Sequence, residues 1–66
     1  MNFIPEITRG YETREYQDGT VITFFPVISY ARIDRSGLPA RWITAYSMDS
    51  AEATYYMDMD SEVMYG

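Results

Sequence analysis

From residue 11 to residue 46 the chain runs in short alternating polar and apolar stretches divided by turn residues, the signature of an antiparallel sheet. Residues 11–17 and 20–25 flank Asp18-Gly19. An Asp-Gly pair between two β-prone runs signals a hairpin, because both central residues of a type I′ turn need positive φ. A two-residue loop sets Tyr16 opposite Val21, Arg14 opposite Thr23 and Glu12 opposite Phe25. The mixed charges of Glu12, Arg14 and Glu15 suit an edge strand that resists unwanted pairing.

The stretch from Thr20 to Ile33 is punctuated only by Pro26, which cannot donate to a central ladder. It reads as one long strand bent or bulged at Pro26, each half pairing with a different neighbour. Asp34-Arg35-Ser36-Gly37 then fits a type I turn with Gly37 left-handed, and Pro39 opens the returning strand. Residues 41–46 alternate again. In this register Tyr30 faces Arg41, close enough for a cation–π contact.

Residues 47–66 carry two patterns. Asp49-Ser50-Ala51-Glu52 has the spacing of a capping box, with Met48 placed to staple onto Ala53, and predicts a helix beginning at Ser50. A helical wheel leaves a patchy apolar stripe of Ala51, Tyr55, Met59 and Val63, interrupted by Glu52. From Tyr55 onward a strand fits better, with Tyr55, Met57, Met59 and Val63 inward and Tyr56, Asp58, Asp60 and Glu62 outward. The expectation is one short helix near 49–55 followed by a strand.

Together these elements predict an α+β fold: a small antiparallel sheet of three to four strands with one short helix, or a mostly-β fold if the helix is only a turn. Phe24, Ile28 and Ile43 cover one face, with Trp42 or Tyr46 at a margin. The 66 residues read as a single small domain. A chain this short buries only about 60% of its unfolded surface, and it has no cysteine with which to staple itself. Dense aromatic packing, from seven tyrosines, three phenylalanines and one tryptophan, or self-association must supply the rest.

Charge changes the picture. Residues 1–48 hold all five arginines (Arg9, Arg14, Arg32, Arg35, Arg41) balanced by five acids, and lysine is absent. The formal charge of −5 therefore falls on residues 49–66, among tyrosines and methionines. Such a segment favours a basic partner and repels nucleic acid. If it is a strand, Asp58, Asp60 and Glu62 repeat at about 6.6 Å, comparable to phosphates along an extended strand. The plainer reading is a solvated face kept acidic for solubility.

Other chemistry finds little footing. Asp58-Met-Asp60-Ser-Glu62 lacks the sixth-position glycine and distal glutamate of a calcium loop, so no metal site is expected. Without histidine, cysteine or lysine, and with its four glycines scattered, the chain offers no obvious nucleophile–base pair or phosphate loop. No enzyme activity and no cofactor are expected. Arg32 and Arg41, on neighbouring strands, are expected to form no more than a small positive patch that pairs with Glu12 or Glu15 in the way exposed ion pairs do. Met57 and Met59 read as core, and Tyr56 as an interface residue.

No apolar run reaches the roughly 18 residues of a membrane span, and the N-terminus lacks a signal-peptide pattern, so a cytoplasmic protein is the default. The expected function is a small acidic inhibitor that docks on the basic, nucleic-acid-contacting surface of another protein, as a phage-type inhibitor of a host nuclease, polymerase or defence complex does. Its contact residues are Asp49, Glu52, Tyr56, Asp58, Asp60 and Glu62. The alternative is a structural or homodimeric subunit that pairs through a sheet edge.

Overall fold

The computed structural model describes the backbone of residues 9–65 and the side chains of residues 9–59. Strands β1 (Glu12–Glu15), β2 (Val21–Phe25), β3 (Tyr30–Asp34) and β4 (Arg41–Thr44) form one antiparallel sheet in the order β1-β2-β3-β4, and helix α1 (Met48–Tyr65) follows. The α+β architecture is the expected one. Its registers and the length of its helix are not.

The first hairpin closes over three residues. Tyr16 N–H donates to the Thr20 carbonyl at 2.9 Å, and Gly19 N–H donates to the Tyr16 carbonyl at 3.0 Å. Gly19 takes φ 91°, the left-handed residue that completes a three-residue loop. Glu12 therefore pairs with Phe24 and Arg14 with Ile22, one residue away from the two-residue prediction. A slip of one residue moves a strand's side chains to the other face. Here it turns Arg14 and Tyr16 toward the helix.

Pro26 marks a turn, not a bend. The Phe25 carbonyl accepts from Ile28 N–H at 3.3 Å and from Ser29 N–H at 2.9 Å, and Phe25 pairs with Tyr30. The two halves of the apolar run thus pair with each other. Proline's fixed φ suits the second position of such a turn, and Ser29 closes it at φ 57°. Val27 and Ile28 give no local turn signal, which is why the run reads as continuous strand.

The third connection also runs later than expected. Leu38 N–H donates to the Arg35 carbonyl at 3.0 Å around Gly37 at φ 79°. Ile33 then pairs with Arg41 and Tyr30 with Thr44, so Tyr30 and Arg41 lie on opposite faces. Arg32, opposite Trp42, likewise lies on the other face from Arg41. They form no shared patch.

The helix is continuous from Met48 to Tyr65, 18 residues, and the expected strand at 55–63 is absent. Its cap is Ser47, not Asp49: Ser47 Oγ accepts from Ser50 N–H at 3.1 Å, and its carbonyl accepts from Ala51 N–H at 3.1 Å. Once nucleated, a helix without internal glycine or proline propagates cheaply. Continuing it places Met59 against the core one turn beyond Tyr55.

That core lies between α1 and one face of the sheet. Ile22, Phe24, Ala31 and Ile33 from β2 and β3 meet Ala45, Met48, Ala51 and Tyr55, all buried, with Tyr16, Ile43 and Met59 packed around them. Met57, expected in the core, is 68% exposed because it falls outside this stripe. Among the described residues no helix is long and apolar enough to cross a membrane.

Candidate interaction surfaces

The expected contact residues are Tyr56 and the acids Asp49, Glu52, Asp58, Asp60 and Glu62. Three of these acids have an arginine partner within the fold. Arg14, turned inward by the hairpin register, reaches Glu52 at 3.2 Å and Asp49 at 3.5 Å. Arg41, brought to the helix side by its pairing with Ile33, binds Asp58. Tyr56 is 53% exposed. The side chains of Asp60 and Glu62 lie outside the described residues. On a helix, positions 58, 60 and 62 are turned about 200° from one to the next and rise about 3 Å per step. They make no straight line at phosphate spacing.

Glu52 interrupts the apolar stripe of α1 because it is answered there. Tyr16 donates its phenol proton to Glu52 Oε2 at 2.5 Å while Arg14 holds the other oxygen. The Tyr16 hydrogen bond, then that of Arg14, hold the Glu52 carboxyl below its usual value despite some loss of water. Burial first, and then this same bond, push the Tyr16 phenol well above the ordinary tyrosine range. Nearby, Tyr55 donates to Asp18 Oδ2 at 2.8 Å, and Thr20 N–H donates to Asp18 Oδ1 at 2.9 Å. The Thr20 amide, ahead of the Tyr55 hydroxyl, keeps Asp18 below its normal value, while burial raises Tyr55.

Tyr16, Asp18 and Tyr55 border a cleft of about 330 Å³ between the first hairpin turn and α1, lined also by Gln17, Tyr56 and Met59. The Tyr16 and Tyr55 rings lie 4.6 Å apart at 38°, and Tyr56 meets Tyr16 almost at right angles, 6.4 Å away. Tyr16 and Tyr55 are separated by 39 positions, so no local pattern announces the cleft. Only the hairpin register brings them together.

The second surface is the face of the sheet turned away from α1. Register places Thr13, Thr23, Arg32 and Trp42 in one row across it, and Phe25, Tyr30 and Thr44 in the next. Phe25 is nearly buried, stacked on Trp42 at 5.6 Å and 22° and flanked by Tyr11 at 6.2 Å. The rings around it are open: Tyr11, Tyr30 and Trp42 are 55%, 44% and 49% exposed. Arg32 on this face pairs with Asp34 at 3.1 Å. Among the described residues no element covers these rings. Alternation in β3 carried a signal for the face, since Ala31 and Ile33 point one way while Tyr30 and Arg32 point the other.

No protein-family model, curated protein or solved structure matches this chain.

Proposed function

We propose that this chain is a binding protein, without chemistry of its own, that docks on a basic protein surface through the open aromatic face of its sheet. The observation that carries the reading is the cluster of Tyr11, Phe25, Tyr30 and Trp42 on a face that nothing else described covers. Tyrosine, tryptophan and arginine are the side chains that dominate binding energy at protein interfaces, and this face presents all three. Its centre is already stacked, so little ordering entropy remains to be lost on docking.

Charge selects the partner. At −5 the chain repels a second copy of itself and repels nucleic acid, and it attracts a basic protein. Basic patches are the footprint of nucleic-acid-handling proteins, and occupying one would block it. Long-range attraction by the net charge serves this role without the phosphate-spaced row that the helix rules out.

The test is affinity capture with the wild-type and Trp42→Ala chains at low and raised salt, followed by reconstitution with the purified partner. The expected result is a basic protein held by wild type, released as salt rises, and lost with Trp42→Ala while the far-UV circular dichroism is unchanged. Equal retention by both chains would refute the reading. So would sedimentation of the purified chain as a dimer that dissociates with Trp42→Ala, because the face would then be filled by a second copy.

A further inference from the structure

We propose that the cleft between the first hairpin turn and α1 is a binding site for an organic cation of the alkylammonium class, either a quaternary amine or the head of an alkylated lysine. Three tyrosines, Asp18 and Met59 line it. Its volume, about 330 Å³, is at the small end of ligand sites and suits a head group better than a whole cofactor.

Aromatic geometry supplies the first argument. Tyr56 stands at 88° to Tyr16 and at 57° to Tyr55, so the three rings that line the cleft do not lie in one flat stack. A cation that meets the face of such a ring gains the attraction by which proteins recognise quaternary ammonium groups. Tyr16 and Tyr55 each donate a proton to a carboxylate, which increases the electron density on their rings. The exposed Tyr56 gives the outer wall. Arg35 reaches the Met59 sulfur at 3.6 Å and also acts on the Asp18 carboxylate, so an incoming cation shares the rim with one of the chain's own.

The carboxylates decide which cation. Both Asp18 oxygens already accept hydrogen bonds, from Thr20 N–H and from Tyr55. Both Glu52 oxygens are engaged as well, by Tyr16 and by Arg14. Of the two only Asp18 lines the cleft, and it offers charge more than a vacant acceptor position. A guanidinium or primary ammonium would leave some donors poorly satisfied there, whereas an alkylated ammonium has few or none to satisfy.

The experiment is an NMR titration of the intact chain with choline and with its neutral carbon isostere, 3,3-dimethylbutanol. Parallel titrations use a peptide carrying trimethyllysine and the same peptide with plain lysine. Choline is expected to shift the resonances of Tyr56, Asp18 and Met59 and to bind roughly 3- to 30-fold tighter than the isostere, the range of a cation–π contribution. The trimethyllysine peptide should bind more tightly than the plain one. A stronger response to choline than to the peptide identifies a free amine as the source, and the reverse identifies a modified protein.

Tyr56→Ala should abolish the difference between choline and its isostere. Asp18→Asn, which keeps an acceptor for the turn but removes the charge, should reduce it. Trp42→Ala, on the other side of the sheet, should leave it intact, so this site stands or falls separately from the docking face. Equal binding of choline and the isostere, or no response of the cleft resonances to either cation, would overturn the proposal. So would unchanged binding by a Tyr56→Ala chain whose amide spectrum remains folded.

Discussion

Ser29 offers the sharpest test of how the chain turns. It is the one described non-glycine residue with positive φ, at 57°. Its backbone is held from both sides, since its N–H donates to Phe25 at 2.9 Å and its carbonyl accepts from Ala45 at 3.0 Å. A residue with a Cβ loses about 1–2 kcal/mol in the left-handed region. Glycine escapes that cost but forfeits roughly 0.5–1 kcal/mol through its looser unfolded chain. Ser29→Gly should therefore stabilise by about 0.5–1 kcal/mol, because both backbone hydrogen bonds survive. In a domain of this size that raises Tm by about 2–8 °C. Ser29→Val, which puts a branched Cβ into the same conformation, should destabilise by roughly 1 kcal/mol or more. Urea and thermal melts followed by far-UV circular dichroism would measure both. If valine is tolerated as well as glycine, residues 26–29 do not form this turn, and the long bent strand becomes the better description.

Two further expectations follow from the helix and its contacts. Ser47→Ala removes the side chain that caps α1 and should cost about 1 kcal/mol, with the loss restored by Ser47→Asp; a melt unchanged by alanine would show that Ser47 is not the cap. Asp18 and Glu52 are held below their ordinary values of 3.8 and 4.5, so the stability they confer is complete above those values and is lost as pH falls through the lower folded ones. Tyr16 and Tyr55 are raised above 10.0, so the unfolded chain ionises first and stability falls again above that pH. Melts across pH, compared with an Asp18→Asn, Glu52→Gln chain, should show a flatter acid limb in the variant, and an identical limb would refute the assignment.

The failed expectations share a physical cause. Asp18-Gly19 correctly marks a hairpin, but two- and three-residue loops use nearly the same residues. The choice between them moved Arg14 from the open face to the helix side, where it meets Glu52. Of the acids that look uncompensated along the chain, Asp49, Glu52 and Asp58 thus meet Arg14 and Arg41 in space. The exposed Tyr56 was legible from its place among acids. The open face, with Tyr11, Phe25, Tyr30 and Trp42, was legible only in part, because its rings come from every strand but β1 and from the residue preceding it.

What the chain determined by itself is local. Alternation and turn residues specified an antiparallel sheet, the lack of histidine, cysteine and lysine narrowed the chemistry, and Ala51, Tyr55 and Met59 already formed the inner stripe of a helix. Tertiary structure decided the rest: three loop lengths, hence which face each strand shows, and the continuation of α1 through residues that also alternate like a strand. Periods of two and of 3.6 can both be read into a short segment rich in tyrosine and methionine. Burial of Tyr55 and Met59 against β2 and β3 resolves it, because that energy exists only once the sheet is there to receive them.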